Sequence, residues 1–215
     1  MSKLAFKADW TLYAITDEPL SSPLPIEQAA RQAILGGAGV VQLRDKHALG
    51  RALYDKALLL RDVSAQEGAV FIVNDRVDVA LAAGADGVHL GQDDLPTQAV
   101  RRVVGQRMIL GISVETLDQA RHAAASGADY LGVGPIFPTT TKEIAGVTGP
   151  ELITLIKQEI DLPLIAIGGI GLDNIAQVAR AGADGAAAIS ALMGATNIRQ
   201  AAEALVAAFK AAKVE

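Results

Sequence analysis

Two aspartates, Asp75 and Asp94, each follow a short apolar run, Val70-Phe71-Ile72-Val73 and Gly87-Val88-His89-Leu90. Read as neighbouring parallel strands about 4.8 Å apart, these runs would bring both carboxylates to one divalent cation. Arg44 and Lys46 follow a third apolar run, and Lys142 follows a fourth. Three cations beside a carboxylate-bound Mg²⁺ could neutralise a diphosphate, because Mg²⁺ is commonly held by one or two carboxylates together with phosphate oxygens. Gly168-Gly169 and Ser190, after two further runs, offer backbone N–H groups and a hydroxyl for a separate monophosphate. A diphosphate beside a monophosphate implies group transfer with pyrophosphate leaving. Each residue also has a plainer reading: Asp75 and Asp94 as helix caps, Arg44, Lys46 and Lys142 as solvated surface.

The elements that must position these residues alternate along the whole chain. Strands are expected at Leu12–Thr16, Val40–Leu43, Val70–Val73, Gly87–Leu90, Met108–Ile112, Tyr130–Val133, Leu164–Ile167 and Ala186–Ile189. Helices are expected between them, among them Pro25–Leu35, Leu49–Gln66, Val77–Ala83, Pro96–Val104, Thr116–Ala125, Pro150–Ile160 and Asp173–Ala181, with Ile198–Ala212 closing the chain. Eight strands each followed by a helix predict one (β/α)8 TIM-barrel domain over residues 1–215. The triplet Gly-Ala-Asp recurs at Gly84–Asp86, Gly127–Asp129 and Gly182–Asp184, before every second strand, with Gly37-Ala38-Gly39 as a weaker copy. An open doubly wound sheet is the competing architecture, but no glycine-rich dinucleotide loop follows Thr16.

In a barrel, chemistry sits at the C-terminal strand ends and the opposite rim serves stability. That rule assigns the Gly-Ala-Asp aspartates to turns. It leaves Gln42, Arg44, Lys46, Asn74, Asp75, Asp94, Ser113, Thr139, Thr140, Thr141, Lys142, Gly168, Gly169 and Ser190 as the chemical set. His89, inside a strand, is either a hydrogen-bonded core histidine or a pocket residue, and the other two histidines are scattered, so a zinc site or a serine-histidine triad has little support.

Composition bounds the function classes. A net charge of −5 and a pI near 5.2 argue against a nucleic-acid or membrane-surface binder. There are no cysteines, which removes disulfides, thiolate metal sites and a cysteine nucleophile. With 51% hydrophobic residues and only 4% aromatic ones, the core must be aliphatic, as buried parallel strands require. No apolar run has the length of a signal peptide or membrane span, so a cytoplasmic protein is expected, its oligomeric state open.

The motifs LYAITD (Leu12–Asp17), QLRDK (Gln42–Lys46), NDRVDVAL (Asn74–Leu81), GVHLGQDD (Gly87–Asp94), GPIFPTTTK (Gly134–Lys142), AIGGI (Ala166–Ile170) and Ile189-Ser190 resemble thiamine phosphate synthase, in order and along nearly the whole chain. The resemblance implies joining of 4-amino-2-methyl-5-hydroxymethylpyrimidine diphosphate to a thiazole phosphate, giving thiamine phosphate and pyrophosphate. It implies substrate contacts along Gln42, Leu43, Arg44, Asp45 and Lys46, with Gln42 on the aminopyrimidine and Ser113 lining the pyrimidine pocket. Arg44, Lys46, Asn74 and Lys142 would hold the diphosphate, Asp75 and Asp94 one Mg²⁺ per subunit, and Thr139, Thr140, Thr141, Gly169, Ile189 and Ser190 the thiazole phosphate. The chain departs from the common pattern at Glu115, where many relatives carry histidine, and at Asp45, where glutamate is commoner. Two other readings compete: a thiazole tautomerase of the same fold, which would leave Asp75, Asp94, Arg44 and Lys142 unexplained, and a binding relative without turnover.

Overall fold

The computed structural model describes residues 8–139 and 146–214. Within them a closed parallel barrel runs in chain order: β1 (Leu12–Ile15), β2 (Val40–Leu43), β3 (Val70–Asn74), β4 (Gly87–Leu90), β5 (Ile109–Val114), β6 (Tyr130–Val133), β7 (Leu164–Ala166) and β8 (Gly185–Ala188). β8 closes on β1 through the pair Tyr13↔Ala187. The helices are α1 (Glu18–Ser21), α2 (Ile26–Leu35), α3 (Gly50–Glu67), α4 (Val77–Ala83), α5 (Thr97–Val104), α6 (Leu117–Ala125), α7 (Glu151–Lys157), α8 (Ile175–Arg180), α9 (Ser190–Met193) and α10 (Ile198–Val214). Among the described residues no helix is long and apolar enough to cross a membrane.

The expected (β/α)8 architecture is therefore the one observed, with small differences at element ends. β5 begins one residue later than expected and runs on to Val114, which places Ser113 inside the strand, paired with Gly132. Two four-residue helices, α1 and α9, are too short to show a helical period in the sequence. Asp17 caps α1, its carboxylate accepting from Leu20 N at 3.1 Å.

Two apolar layers result from the alternation of side chains along each strand. One set, with Leu12, Val41, Phe71, Val88 and Leu131, packs outward against the helices. The other fills the barrel: Tyr13, Val40, Ile72, Ile109, Tyr130 and Ile165 with their neighbours, closed below by Trp10, whose ring lies 4.8 Å from that of Tyr130. This plug leaves only the upper, C-terminal half open.

The Gly-Ala-Asp repeats do more than turn the chain. Gly84, Gly127 and Gly182 take positive φ (67, 95 and 100°) where each helix ends, a conformation glycine adopts without a Cβ penalty. Two residues on, each aspartate accepts from the first amides of the preceding strand: Asp86 from Phe71 N at 2.9 Å, Asp129 from Leu110 N at 2.9 Å, Asp184 from Leu164 N at 2.9 Å. Every second strand is thus tied to its neighbour at the lower rim. Asp129 is 1% exposed and also pairs with Arg101 Nη2 at 2.5 Å, so here the tie is a buried ion pair.

Candidate active site

One cavity occupies the upper barrel, and it gathers Gln42, Arg44, Lys46, Asn74, Asp75, Asp94, Ser113, Thr139, Gly169, Ile189 and Ser190, residues from β2 through to the end of β8. Leu43 and Asp45 lie differently. The Leu43 side chain is buried in the layer between strands and helices. Asp45 turns into its own loop, where its carboxylate accepts from His47 N at 3.0 Å, Ala48 N at 2.9 Å and Lys56 Nζ at 2.8 Å. Burial alone would raise the Asp45 carboxyl, but the Lys56 ammonium and the two N–H groups outweigh it and hold the carboxyl below its ordinary value. Thr140, Thr141 and Lys142 fall outside the described residues.

Asp75 and Asp94 cap no helix. The residues at the starts of α4 and α5 are Arg76 and Pro96. Asp94 instead closes its own turn, its Oδ2 accepting from Gly91 N at 2.7 Å. Asp75 has φ = 62°, alone among the described non-glycine residues in the left-handed region, which aspartate tolerates better than most side chains. Its amide donates to His89 O at 2.8 Å, so the strand pairing continues to the very residue at which the chain turns.

Burial, and then the charge of Asp94, push the Asp75 carboxyl above its ordinary value, and the cations Lys46 and Arg44 only partly oppose this. Lys46 Nζ stands 3.6 Å from Asp75 Oδ2. Two crowded carboxylates beside two cations form an all-oxygen donor set suited to a hard divalent ion. Among the described residues no group of three or more acidic, histidine or cysteine side chains could hold a metal. An ion held by two carboxylates keeps coordination positions open for substrate oxygens and water.

The opposite wall is backbone-built. Gly168 and Gly169 have φ of 97 and 63°, and a Cβ on Gly169 would lie 2.4 Å from Pro138 O. Glycine is required there by conformation and by the approach of the loop after β6. That loop is fastened at its base, with Ile136 N donating to Ile167 O at 2.8 Å, Phe137 N to Gly168 O at 3.0 Å and Thr148 N to Pro135 O at 2.8 Å. Thr139 is thereby held against the cavity beside Gly169 and Ser190.

The cavity floor was not read from the sequence. Tyr13, Tyr130 and Ile165 line it, and His89 is both core and pocket, its ring nitrogens 2.8 Å from Tyr130 Oη and 2.9 Å from Ser113 Oγ. Two strand glycines make the room: a Cβ on Gly111 would fall 2.1 Å from Tyr130 Cζ, and one on Gly132 would fall 3.0 Å from His89 Cε1. Thr16, fully buried at the top of β1, accepts from Arg44 N at 3.1 Å and so steadies the cationic loop. The available signals were glycines inside buried strands and the tyrosines in LYAITD and DYLGV.

The sequence matches the family model described as thiamine monophosphate synthase over residues 12–192. The chain belongs to the thiamine monophosphate synthase family. It is 49% identical over 203 residues to a thiamine-phosphate synthase from Chloroflexus aurantiacus, covering 94% of each chain. It is 50% identical over 186 residues to one from Methanospirillum hungatei, covering 86% of this chain and 90% of that protein. Among solved structures, it is similar to a thiamine phosphate pyrophosphorylase from Pyrococcus furiosus, with a TM-score of 0.89 and 40% identity over 96% of this chain and 98% of that one. Membership of the thiamine monophosphate synthase family makes the protein a transferase of thiamine biosynthesis, as the motifs had implied.

Proposed function

We propose that this cavity joins an aminopyrimidine carrying a diphosphooxymethyl group to a thiazole monophosphate, with release of pyrophosphate, in the cytosol. The observation that carries the reading is the division of the cavity. The crowded Asp75–Asp94 pair with Arg44 and Lys46 forms one wall, and Gly169, Ser190 and Thr139 form the other. With a divalent cation on its carboxylates the first wall would draw an anion of high charge, and the second suits a singly phosphorylated partner.

Asp75 and Asp94 would hold Mg²⁺, which supplies positive charge against the oxygens of the departing pyrophosphate. Arg44 and Lys46 add to that charge from the protein side, and the Asn74 amide, at the end of β3, can donate to a bridging or terminal phosphate oxygen. The methylene carbon–oxygen bond breaks with its electron pair leaving on pyrophosphate. The electron-rich aminopyrimidine, seated against Gln42 and Ser113, carries the resulting positive charge. The thiazole nitrogen then donates its lone pair to the methylene carbon, forming the new bond. No side chain is needed as a nucleophile, which fits a cavity without cysteine and with its serines at the floor and the phosphate wall. Thr140, Thr141 and Lys142, placed by family resemblance alone, would complete the phosphate contacts.

The test is pyrophosphate release by purified protein given both substrates, with Mg²⁺ and with chelator. Release that needs both substrates and the metal, with thiamine phosphate formed, is the expected result. Folded protein that releases none under these conditions would overturn the reading.

A further inference from the structure

Five side chains from five strands form one unbroken hydrogen-bond chain across the cavity floor. Gln42 Nε2 on β2 donates to Tyr13 Oη on β1 at 2.8 Å. Tyr13 Oη meets Tyr130 Oη on β6 at 2.7 Å, Tyr130 Oη meets His89 Nδ1 on β4 at 2.8 Å, and His89 Nε2 meets Ser113 Oγ on β5 at 2.9 Å. Gln42, His89 and Tyr130 are buried, and both ends, Gln42 and Ser113, line the cavity. Buried hydroxyls and amides must satisfy their donors internally, so proton counting makes the links run together, in the sense that the Gln42 Nε2 donor on Tyr13 sets.

Burial pushes both phenols well above their ordinary range, so each carries one proton to donate. Tyr13 accepts from Gln42, and its own proton has Tyr130 Oη as its acceptor. The Tyr130 proton then goes to His89 Nδ1, which must be bare. His89 is accordingly neutral with its proton on Nε2, donated to Ser113 Oγ. With Gln42 Nε2 as the donor to Tyr13, a doubly protonated imidazole would leave the Tyr130 proton without an acceptor among its two partners, Tyr13 Oη and His89 Nδ1. The Gln42 carbonyl is left as an acceptor facing the cavity at one end, and the Ser113 hydroxyl as a donor at the other. Reversing one link alone either orphans a buried proton or leaves one contact with no proton in it. With a neutral imidazole, only reversal of all four, with the Gln42 amide turned over, restores full pairing.

We propose that Tyr13, Tyr130 and His89 are positioning residues whose linked hydrogen bonds lock Gln42 and Ser113 to opposite hydrogen-bonding character, selecting a ring that offers an N–H to Gln42 and a bare nitrogen to Ser113. This deepens the function proposed above and rests on it. An aminopyrimidine meets the chain as it stands. A 4-oxo analogue, with acceptor and donor exchanged, requires the whole chain to reverse.

The test compares kcat/KM for the 4-amino pyrimidine diphosphate and its 4-oxo analogue in wild type, Tyr130→Phe and Tyr13→Phe. Both substitutions keep the aromatic ring and remove one link. The expected result is a preference for the amino substrate that narrows at least about tenfold in both variants, because Gln42 and Ser113 then orient independently. KM for the thiazole phosphate should stay within about twofold. A structural role alone would lower stability or act on both pyrimidines equally, so an unchanged amino-to-oxo ratio in either folded variant overturns the proposal. Failure of wild type to convert the amino substrate would overturn the proposed function instead. Both outcomes are read in the same assay.

Discussion

The phenol of Tyr130 occupies the space that a Cβ on Gly111 would take: such an atom would stand 2.1 Å from Cζ and 2.4 Å from Oη. Gly111→Ala must therefore push the ring out of place and with it the hydroxyl at the centre of the floor. Overpacking of this kind typically costs about 1–3 kcal/mol. The variant should unfold at lower denaturant concentration, and KM for the pyrimidine substrate should rise with little change for the thiazole phosphate. Gly132→Ala presses more lightly on His89, at 3.0 Å from Cε1, and should cost less on both measures.

Thr16 links the top of β1 to the cationic loop, its amide donating to Gln42 O at 2.9 Å and its hydroxyl accepting from Arg44 N at 3.1 Å. Thr16→Val keeps the shape and removes the acceptor, leaving the Arg44 amide without its partner. The expected stability loss is about 1 kcal/mol. The larger effect should be kinetic, a fall of roughly tenfold in kcat/KM for the pyrimidine diphosphate as Arg44 loses its fixed starting point. Equal activity with the expected loss of stability would show that the loop needs no such tie.

Much of this was legible because strands buried on both faces read as short apolar runs, and polar residues at their ends stand out against them. Asp75, Asp94, Arg44 and Lys46 were visible in that way. The same burial hides which face a strand residue takes, so nothing local separates Tyr13, inside the barrel, from Leu12, outside it. The Tyr13–Tyr130 contact spans 117 residues of sequence and exists only once β1 and β6 are placed across a closed barrel. Nor could the sequence show whether Asp75 caps α4: the chain turns at Asp75, with φ = 62°, and the cap position falls on Arg76.

The three lower-rim aspartates should behave unlike those of the cavity. Asp129→Ala strands the Arg101 guanidinium in the interior, and breaking a buried pair this way costs about 3–5 kcal/mol. Asp86→Ala loses one bond to Phe71 N in a partly exposed setting, at about 1 kcal/mol. Both sit on the rim opposite the cavity, so kcat of the folded protein should be unchanged. Denaturant titrations paired with kcat at a temperature where each variant is fully folded would check this, and a lowered kcat would show coupling across the barrel.

Asp75 should make metal binding and stability move in opposite senses with pH. Burial and the Asp94 charge raise its carboxyl in the fold above its value in the unfolded chain, so the metal-free fold holds that proton the more tightly. The resulting stability is fully present below the unfolded carboxyl value and is lost as pH rises through the elevated folded value. Metal-free wild type should therefore lose melting temperature, relative to Asp75→Asn, as pH climbs from mildly acid to neutral. Mg²⁺ competes with the proton, so its stabilisation of wild type should be largest at neutral pH and fade on acidification. In Asp75→Asn the crowding of two carboxylates is gone and half of the ligand pair with it, so Mg²⁺ should scarcely move the melting temperature. Turnover should fall by at least about a hundredfold, in the range of losing a preorganised electrostatic contact to developing charge. Calorimetric scans of both proteins across this pH range, with Mg²⁺ and with chelator, would decide the matter. If Mg²⁺ raised the melting temperature of Asp75→Asn as much as that of wild type, the metal would have to bind elsewhere and the charge-crowding account of Asp75 would fail.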